Sequence, residues 1–107
     1  MIQVKRSDCS ILHLVLKKKW YDMIASGEKT VEYRLATPYW VKRISNWQLT
    51  PAKWRHVIAF SLGYRKPDMF FTCADLFRYE QAFRPSLGEP NTDHFALFLG
   101  ERFVMED

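Results

Sequence analysis

Three charged side chains follow a glycine in the first third of the chain. Gly27 precedes Lys29, Glu32 and Arg34. Glycine permits a sharp bend and lets a ligand approach the backbone closely. The planar guanidinium of Arg34 suits a carboxylate, a phosphate or a base edge. Glu32 would orient Arg34 or accept from an amino group, and Lys29 would serve as the base if the site is catalytic. The pattern therefore predicts a small polar site at a turn.

The same charges have a simpler interpretation. Alternating charged residues are common on the solvated outer face of a strand, where they pair with one another. Spacing alone favours that interpretation, so the rest of the chain must decide between a solvated edge and a site.

Basic residues elsewhere in the chain lie beside aromatic residues. Stacking of bases on aromatic rings, together with neutralised phosphates, is the usual basis of RNA binding. The net charge of +4 and a pI near 9.2 fit a polyanionic partner such as RNA or a nucleotide. Trp40 and Trp47 have helical spacing and are assigned to the core. Lys17 and Tyr64 are predicted to join the ligand site. The basic groups are 17–19, 42–43, 53 with 55, and 65–66.

Several kinds of chemistry find no support in the sequence. The histidines, His13, His56 and His94, lack metal-ligand spacing, as do the two cysteines. The chain has neither a nucleophile-elbow motif nor a glycine-rich phosphate loop. We therefore predict no metal and no cofactor. The N-terminal residues lack the apolar stretch of a signal peptide, and no run reaches the length of a membrane span. A cytoplasmic protein without membrane contact is expected.

Alternation and helical spacing predict the elements that position the charged cluster. Residues 11–16 alternate as a strand, and a short helix containing Trp20 ends at Gly27. A second strand is expected over 28–35, with Val31, Tyr33 and Leu35 facing inward and Glu32 facing the other way.

The remaining elements follow from turn and capping residues. Thr37 and Pro38 begin a helix, and 50–54 is expected to form a short helical turn. Strands are expected over 56–62, 69–79 and 94–99, the first two forming a hairpin. Residues 80–93 are expected to form an irregular loop, 103–105 a strand extension and 1–10 a loose lead-in.

The 107 residues have the size of a single domain, over 1–107. Short strands with few helices predict an α+β fold. A sheet this short and aromatic tends to close, so we expect a small β-barrel of about five to six strands with short helices at its rim.

The chain resembles the ASCH domain family, which is related to PUA-like RNA-binding domains. The resemblance centres on G-x-K-x-x-E-x-R, formed here by Gly27, Lys29, Glu32 and Arg34, and it covers about residues 11–102. The segments that carry it are LHLVLKKKWYDMI at 12–24, SGEKTVEYR at 26–34, PYW at 38–40, FSLGY at 60–64 and LGE at 99–101.

This resemblance implies a PUA-like barrel with a cleft lined by Lys29, Glu32 and Arg34. It also implies binding of RNA or of a nucleotide-like ligand. One branch of the family hydrolyses acetylated cytidine, with the motif lysine as base and a threonine three residues later as nucleophile. Glu32 stands at the place of that threonine in this chain, which weakens the implied activity.

Two further interpretations stay beside the binding module. The first is a small hydrolase, acting as an amidohydrolase on an acetylated nucleoside or as a ribonuclease, with Lys29 and Glu32 as its catalytic residues. The second is a protein-interaction domain that uses an exposed aromatic rim. Neither the ligand nor the oligomeric state follows from the sequence.

Overall fold

The computed structural model of the protein describes residues 3–84 and 89–106. They form six strands, two α-helices and a 3₁₀ turn at Arg6–Asp8. The strands are β1 (Gln3–Lys5), β2 (Cys9–Leu16), β3 (Val31–Leu35), β4 (Arg55–Leu62), β5 (Met69–Arg84) and β6 (Glu89–Glu106). The helices are α1 (Lys18–Ala25) and α2 (Pro38–Leu49).

The strands form one mixed sheet in the order β1-β6-β5-β4-β2, and β3 also pairs with β6. The β2–β4 and β1–β6 pairs are parallel, whereas β3–β6, β4–β5 and β5–β6 are antiparallel. The α+β class is confirmed, but the expected closed barrel is wrong. Among the described residues, β2 and β3 do not pair with each other, so the sheet has a gap between these two edges. We call this gap the seam.

The two faces of the curved sheet bury separate apolar clusters. The larger cluster lies on the inner face, where α1 contributes Ile24 and α2 contributes Ile44 and Trp47. The smaller cluster lies on the other face, where β1 and the C-terminal part of β6 pack. The inner cluster contains Leu12, Leu14, Leu16, Ile24, Ile44, Trp47, Ile58, Phe60, Met69, Phe71, Phe95 and Leu97. Both helices therefore cover the inner face of the sheet.

Local sequence explains how both helices are placed beside the seam. After α1, Gly27 adopts φ 83°, a left-handed conformation that favours glycine, and this turn leads the chain into β3. At the start of α2, the Thr37 hydroxyl accepts a hydrogen bond from the backbone N–H of Trp40, and Pro38 occupies the first helical turn. The predicted helix end and helix start are both confirmed.

Three other local predictions need correction. Residues 3–10 are not a loose lead-in, because 3–5 form β1 against β6 and 9–10 begin β2. Residues 51–54 are not helical. The predicted loop over 80–93 is largely strand, since β5 continues to Arg84 and β6 begins at Glu89; residues 85–88 lie outside the described part. Cross-strand pairing along this hairpin outweighs the turn-forming residues near its tip.

No helix in the described part of the chain has both the length and the apolar character needed to cross a membrane.

Candidate functional site

The carboxylate of Glu32 lies at the edge of the core. In the β3–β6 pairing, Glu32 is opposite Leu97 and Arg34 is opposite Phe95, and both of those partners belong to the inner cluster. Directly paired residues point to the same face of a sheet. Glu32 is only 5% exposed. The predicted orientation of this strand is therefore wrong, because the charged side chains face inward.

The apolar side chains of β3 consequently lie on the outer face. Val31, Tyr33 and Leu35 are half-buried there. The rings of Tyr33 and His94 form a T-shaped contact with a centroid separation of 5.8 Å. Tyr33 does not belong to the inner cluster, but because β3 is an edge strand its ring also lies beside the seam.

Two cations share the Glu32 carboxylate. The ammonium Nζ of Lys29 lies 3.3 Å from Oε1, and Nη2 of Arg34 donates to Oε2 at 2.8 Å. The side chains of Lys29, Glu32 and Arg34 are 10%, 6% and 18% exposed. The three side chains therefore converge in a partly dehydrated space, where ion pairs are stronger than on an open surface.

Aromatic rings surround both cations. The Lys29 ammonium lies 4.8 Å from the ring centroid of Trp20 and 5.4 Å from that of Tyr33. The guanidinium of Arg34 lies 5.1 Å from the centroid of Trp40. These distances are within the range of cation–π attraction, so the rings help to hold both cations in place.

Arg34 also reaches across the seam. Its Nη2 donates to the backbone carbonyl of Val15 at 3.1 Å. Its Nε is buried and has no hydrogen-bond partner among the described residues.

These side chains line a cleft of about 380 Å³ along the seam. Lys17, which immediately follows β2, is exposed at its rim. Three cations and one carboxylate line the cleft, which gives it a positive balance. Its lining residues are Val15, Leu16, Lys17, Trp20, Lys29, Glu32, Tyr33, Arg34, Leu35, Thr37 and Trp40.

The structure thus brings four of the five predicted ligand residues together. Lys17, Lys29, Glu32 and Arg34 line the cleft, whereas Tyr64 lies in an adjacent depression and its side chain is fully exposed.

Sequence reasoning missed Trp20 and Trp40 as cleft residues. It placed Trp20 in a short helix and assigned Trp40 to the core, and both do pack against the inner cluster. Each also presents its ring to a cation of the cleft. The position of Trp40 in the first turn of α2 was a usable signal, because that turn lies close to Arg34 in sequence.

Among the described residues, the other reactive groups do not form a catalytic arrangement. Nε2 of His13 is 2.8 Å from the Ser61 hydroxyl, but Ser61 is fully buried and donates to the carbonyl of Gly63 at 2.9 Å. That hydroxyl is therefore inaccessible to a substrate. Burial raises the pKa of the Cys73 thiol to about 11, so little of the nucleophilic thiolate is present at neutral pH. Within 3–84 and 89–106, no three His, Cys, Asp or Glu side chains are grouped as a metal site requires.

Comparison with known proteins bears on the fold. No family profile matches the chain. No curated protein matches it significantly in sequence. A crystal structure of a mutant form of ZmASCH, from Zymomonas mobilis, is similar, with a TM-score of 0.59 and 16% sequence identity. The similarity covers 89% of this chain and 70% of that chain. Since the identity is low, it bears on the fold alone: this protein has an ASCH-like fold.

Proposed function

We propose that the protein binds RNA or a nucleotide-like ligand in the seam cleft, and that it recognises a single-stranded segment or a modified base there. The main support for this proposal is the arrangement around Glu32. Both oxygens of this buried carboxylate are paired, one with Lys29 and the other with Arg34. Glu32 therefore acts as a positioning residue that holds two cations toward the cleft.

The charge of the cleft favours a ligand rich in hydrogen-bond acceptors. Glu32 offsets one of the cations, and Lys17 adds a further positive charge at the rim. Phosphate oxygens and base carbonyls are the acceptors that such groups recognise.

The size and the walls of the cleft favour a single unstacked base. A volume of about 380 Å³ lies near the lower end of the range of about 300–1,000 Å³ that is usual for small-molecule sites. Trp20, Tyr33 and Trp40 supply aromatic surface around it. Single-stranded RNA presents bases that can leave the stack and pack against such rings, whereas a duplex does not.

The geometry disfavours the hydrolase alternative in which Glu32 activates water. A general base needs an oxygen that can accept a proton from the attacking water. Both Glu32 oxygens already contact cations, and the residue is 5% exposed. Lys29 is likewise engaged with this carboxylate.

A pair of matched lysine variants tests the proposal. Lys17→Ala removes a cation from the cleft rim, while Lys53→Ala removes an exposed cation that lines neither the cleft nor the adjacent depression. Lys17 follows the end of β2, and Lys53 precedes β4. Since Cys9 pairs with Arg55 and Leu16 with Leu62, the two lysines lie at opposite ends of this strand pair, roughly 20 Å or more apart.

The measurement is fluorescence anisotropy of a labelled single-stranded RNA of mixed sequence, titrated at several salt concentrations. Lys17→Ala should weaken binding and reduce the slope of log K against log salt by about 0.7, as expected for one lost phosphate contact. Lys53→Ala should leave that slope close to the wild-type value. The proposal fails if the wild-type protein does not bind at low salt, or if both variants lose affinity equally.

A further inference from the structure

The adjacent depression that contains Tyr64 lies on the other side of the end of β2 from the seam cleft, and we call it the second depression. Its volume is about 820 Å³, and it shares Val15, Leu16 and Lys17 with the cleft. It is lined by Val15, Leu16, Lys17, Lys18, Leu62, Gly63, Tyr64 and Arg65. The two concavities therefore meet at the last residues of β2, and Lys17 belongs to both.

The second depression is strongly basic. Lys17, Lys18 and Arg65 are exposed, and no carboxylate is among the residues that line it. Lys18 pairs with Asp22 on the exposed surface of α1, so its charge is partly offset. Like the seam cleft, this surface carries the charge that a phosphate group requires.

Tyr64 extends from a well-anchored turn into solvent. Gly63 adopts φ 60°, its N–H donates to the carbonyl of Leu16 at 2.9 Å, and its own carbonyl accepts from Ser61. The backbone beside the ring is thus fixed to the end of the sheet, while the Tyr64 side chain is fully exposed. An uncovered ring that extends from a fixed backbone beside cations has the features of a stacking platform for a base.

We infer that the seam cleft and the second depression are successive subsites for one single-stranded chain. This inference rests on the function proposed above and adds a minimum ligand length to it. One base occupies the seam cleft, the neighbouring base stacks on Tyr64, and the phosphate between them lies against Lys17. The recognised unit is therefore at least a dinucleotide.

The backbone geometry agrees with this arrangement. Leu16 and Leu62 are paired neighbours on β2 and β4, and paired strands lie about 4.8 Å apart. Lys17 immediately follows the first of these residues, and Tyr64 comes two residues after the second. The ring of Tyr64 and the ammonium of Lys17 consequently extend from the same corner of the sheet.

The test compares ribonucleoside monophosphates with the matching dinucleotides and trinucleotides, for each of the four bases. Binding is followed by tryptophan fluorescence, to which Trp20 and Trp40 in the cleft contribute. The wild-type protein should bind the best dinucleotide about tenfold or more tightly than its mononucleotide, the size expected for one stacked base. In Tyr64→Ala this ratio should fall close to one. Tyr64→Phe keeps the aromatic face and should retain most of the ratio.

The possible outcomes separate this inference from the proposed function. Equal affinity for mononucleotides and dinucleotides in the wild-type protein overturns the two-subsite arrangement but leaves the cleft intact as a ligand site. A dinucleotide advantage that survives in Tyr64→Ala overturns the role of this ring. If none of the ligands binds, both the inference and the proposed function fail. Because Tyr64 is fully exposed, its substitution should not change the melting temperature, which serves as the folding control.

Discussion

Nη2 of Arg34 donates to the carbonyl oxygen of Val15 at 3.1 Å and so connects β3 to β2, although these strands share no backbone pairing. A second arginine acts similarly from α2, since Nη2 of Arg43 donates to the carbonyl of His13 at 3.5 Å. Arginine side chains therefore satisfy two carbonyls on the unpaired edge of β2. Such an edge otherwise invites pairing with another strand.

Arg34→Lys is expected to destabilise the protein although it keeps the charge. Nη2 makes the hydrogen bonds to both Glu32 and Val15, and lysine is too short and lacks the planar guanidinium needed to reach both acceptors while lying over Trp40. We expect a loss of about 1–3 kcal/mol in the free energy of unfolding, the usual effect of a buried polar group left without its partner. Urea denaturation of both proteins gives this difference directly.

Arg43→Lys is the matched control for that experiment. Arg43 also lies over Trp40, at 5.6 Å, and also donates to β2, but it is exposed and its hydrogen bond is longer. The Arg43→Lys substitution should lower the free energy of unfolding by no more than about 0.5 kcal/mol, as for other surface contacts. If both variants lose the same free energy of unfolding, the contact of Arg34 across the seam contributes no more to stability than the surface contact of Arg43.

Glu32→Gln is expected to cost more than its small change in shape suggests. It leaves Lys29 and Arg34 without the carboxylate that pairs both of them in a partly buried space. Breaking a buried ion pair from one side typically costs about 3 kcal/mol or more. Unfolding in urea should show a loss of this order.

A double-mutant cycle identifies the cause of that loss. Lys29→Met removes one of the two unpaired cations, so the Lys29→Met, Glu32→Gln protein should be more stable than the sum of the single losses predicts. The coupling should be about 1–3 kcal/mol, the range for residues in direct contact. Strict additivity would argue against the shared-carboxylate arrangement.

Acid is expected to destabilise the protein partly through His13. Burial lowers the pKa of His13 below its ordinary value of 6.5, and the charge of Arg43 lowers it further. The unfolded chain therefore binds more protons than the folded one as the pH falls below about 6.5. The free energy of unfolding should therefore decrease as the pH falls from about 6.5 to the pKa of His13 in the folded state.

The measurement is the urea midpoint between about pH 8 and about pH 5.5, which spans the ordinary histidine range. His13→Gln should show a smaller decrease than the wild-type protein. Arg43→Gln should give an intermediate result, because it removes only the second cause. A wild-type decrease that persists unchanged in His13→Gln would assign the pH dependence to other groups.

Local signals in the sequence predicted most of the elements around the site. The Gly27 turn and the Thr37 cap depend on contacts within a few residues, and the strand predicted over 56–62 was recognised from its own residues; the structure contains all three. The convergence of Lys29, Glu32 and Arg34 also follows from their short spacing after the turn.

The orientation of β3 could not be read from its own residues. Alternation placed Val31 and Tyr33 inward because apolar side chains usually face the core. In the structure Glu32 faces inward instead, since its two cationic partners compensate the cost of burying the carboxylate. That compensation depends on Trp20 and Trp40, which come from two different helices. Barrel closure failed as a prediction for a related reason, because it depends on pairing between strands far apart in sequence.

The sheet order also constrains when the site can form during synthesis. The pairing partner of β3 is β6, which leaves the ribosome after the other five strands of the sheet. Before β6 is synthesised, β3 has no paired strand to align Glu32 and Arg34. The edge of β5 that pairs with β6 is also still unpaired. The nascent chain must therefore keep its earlier aromatic segments from aggregating until β6 has been added.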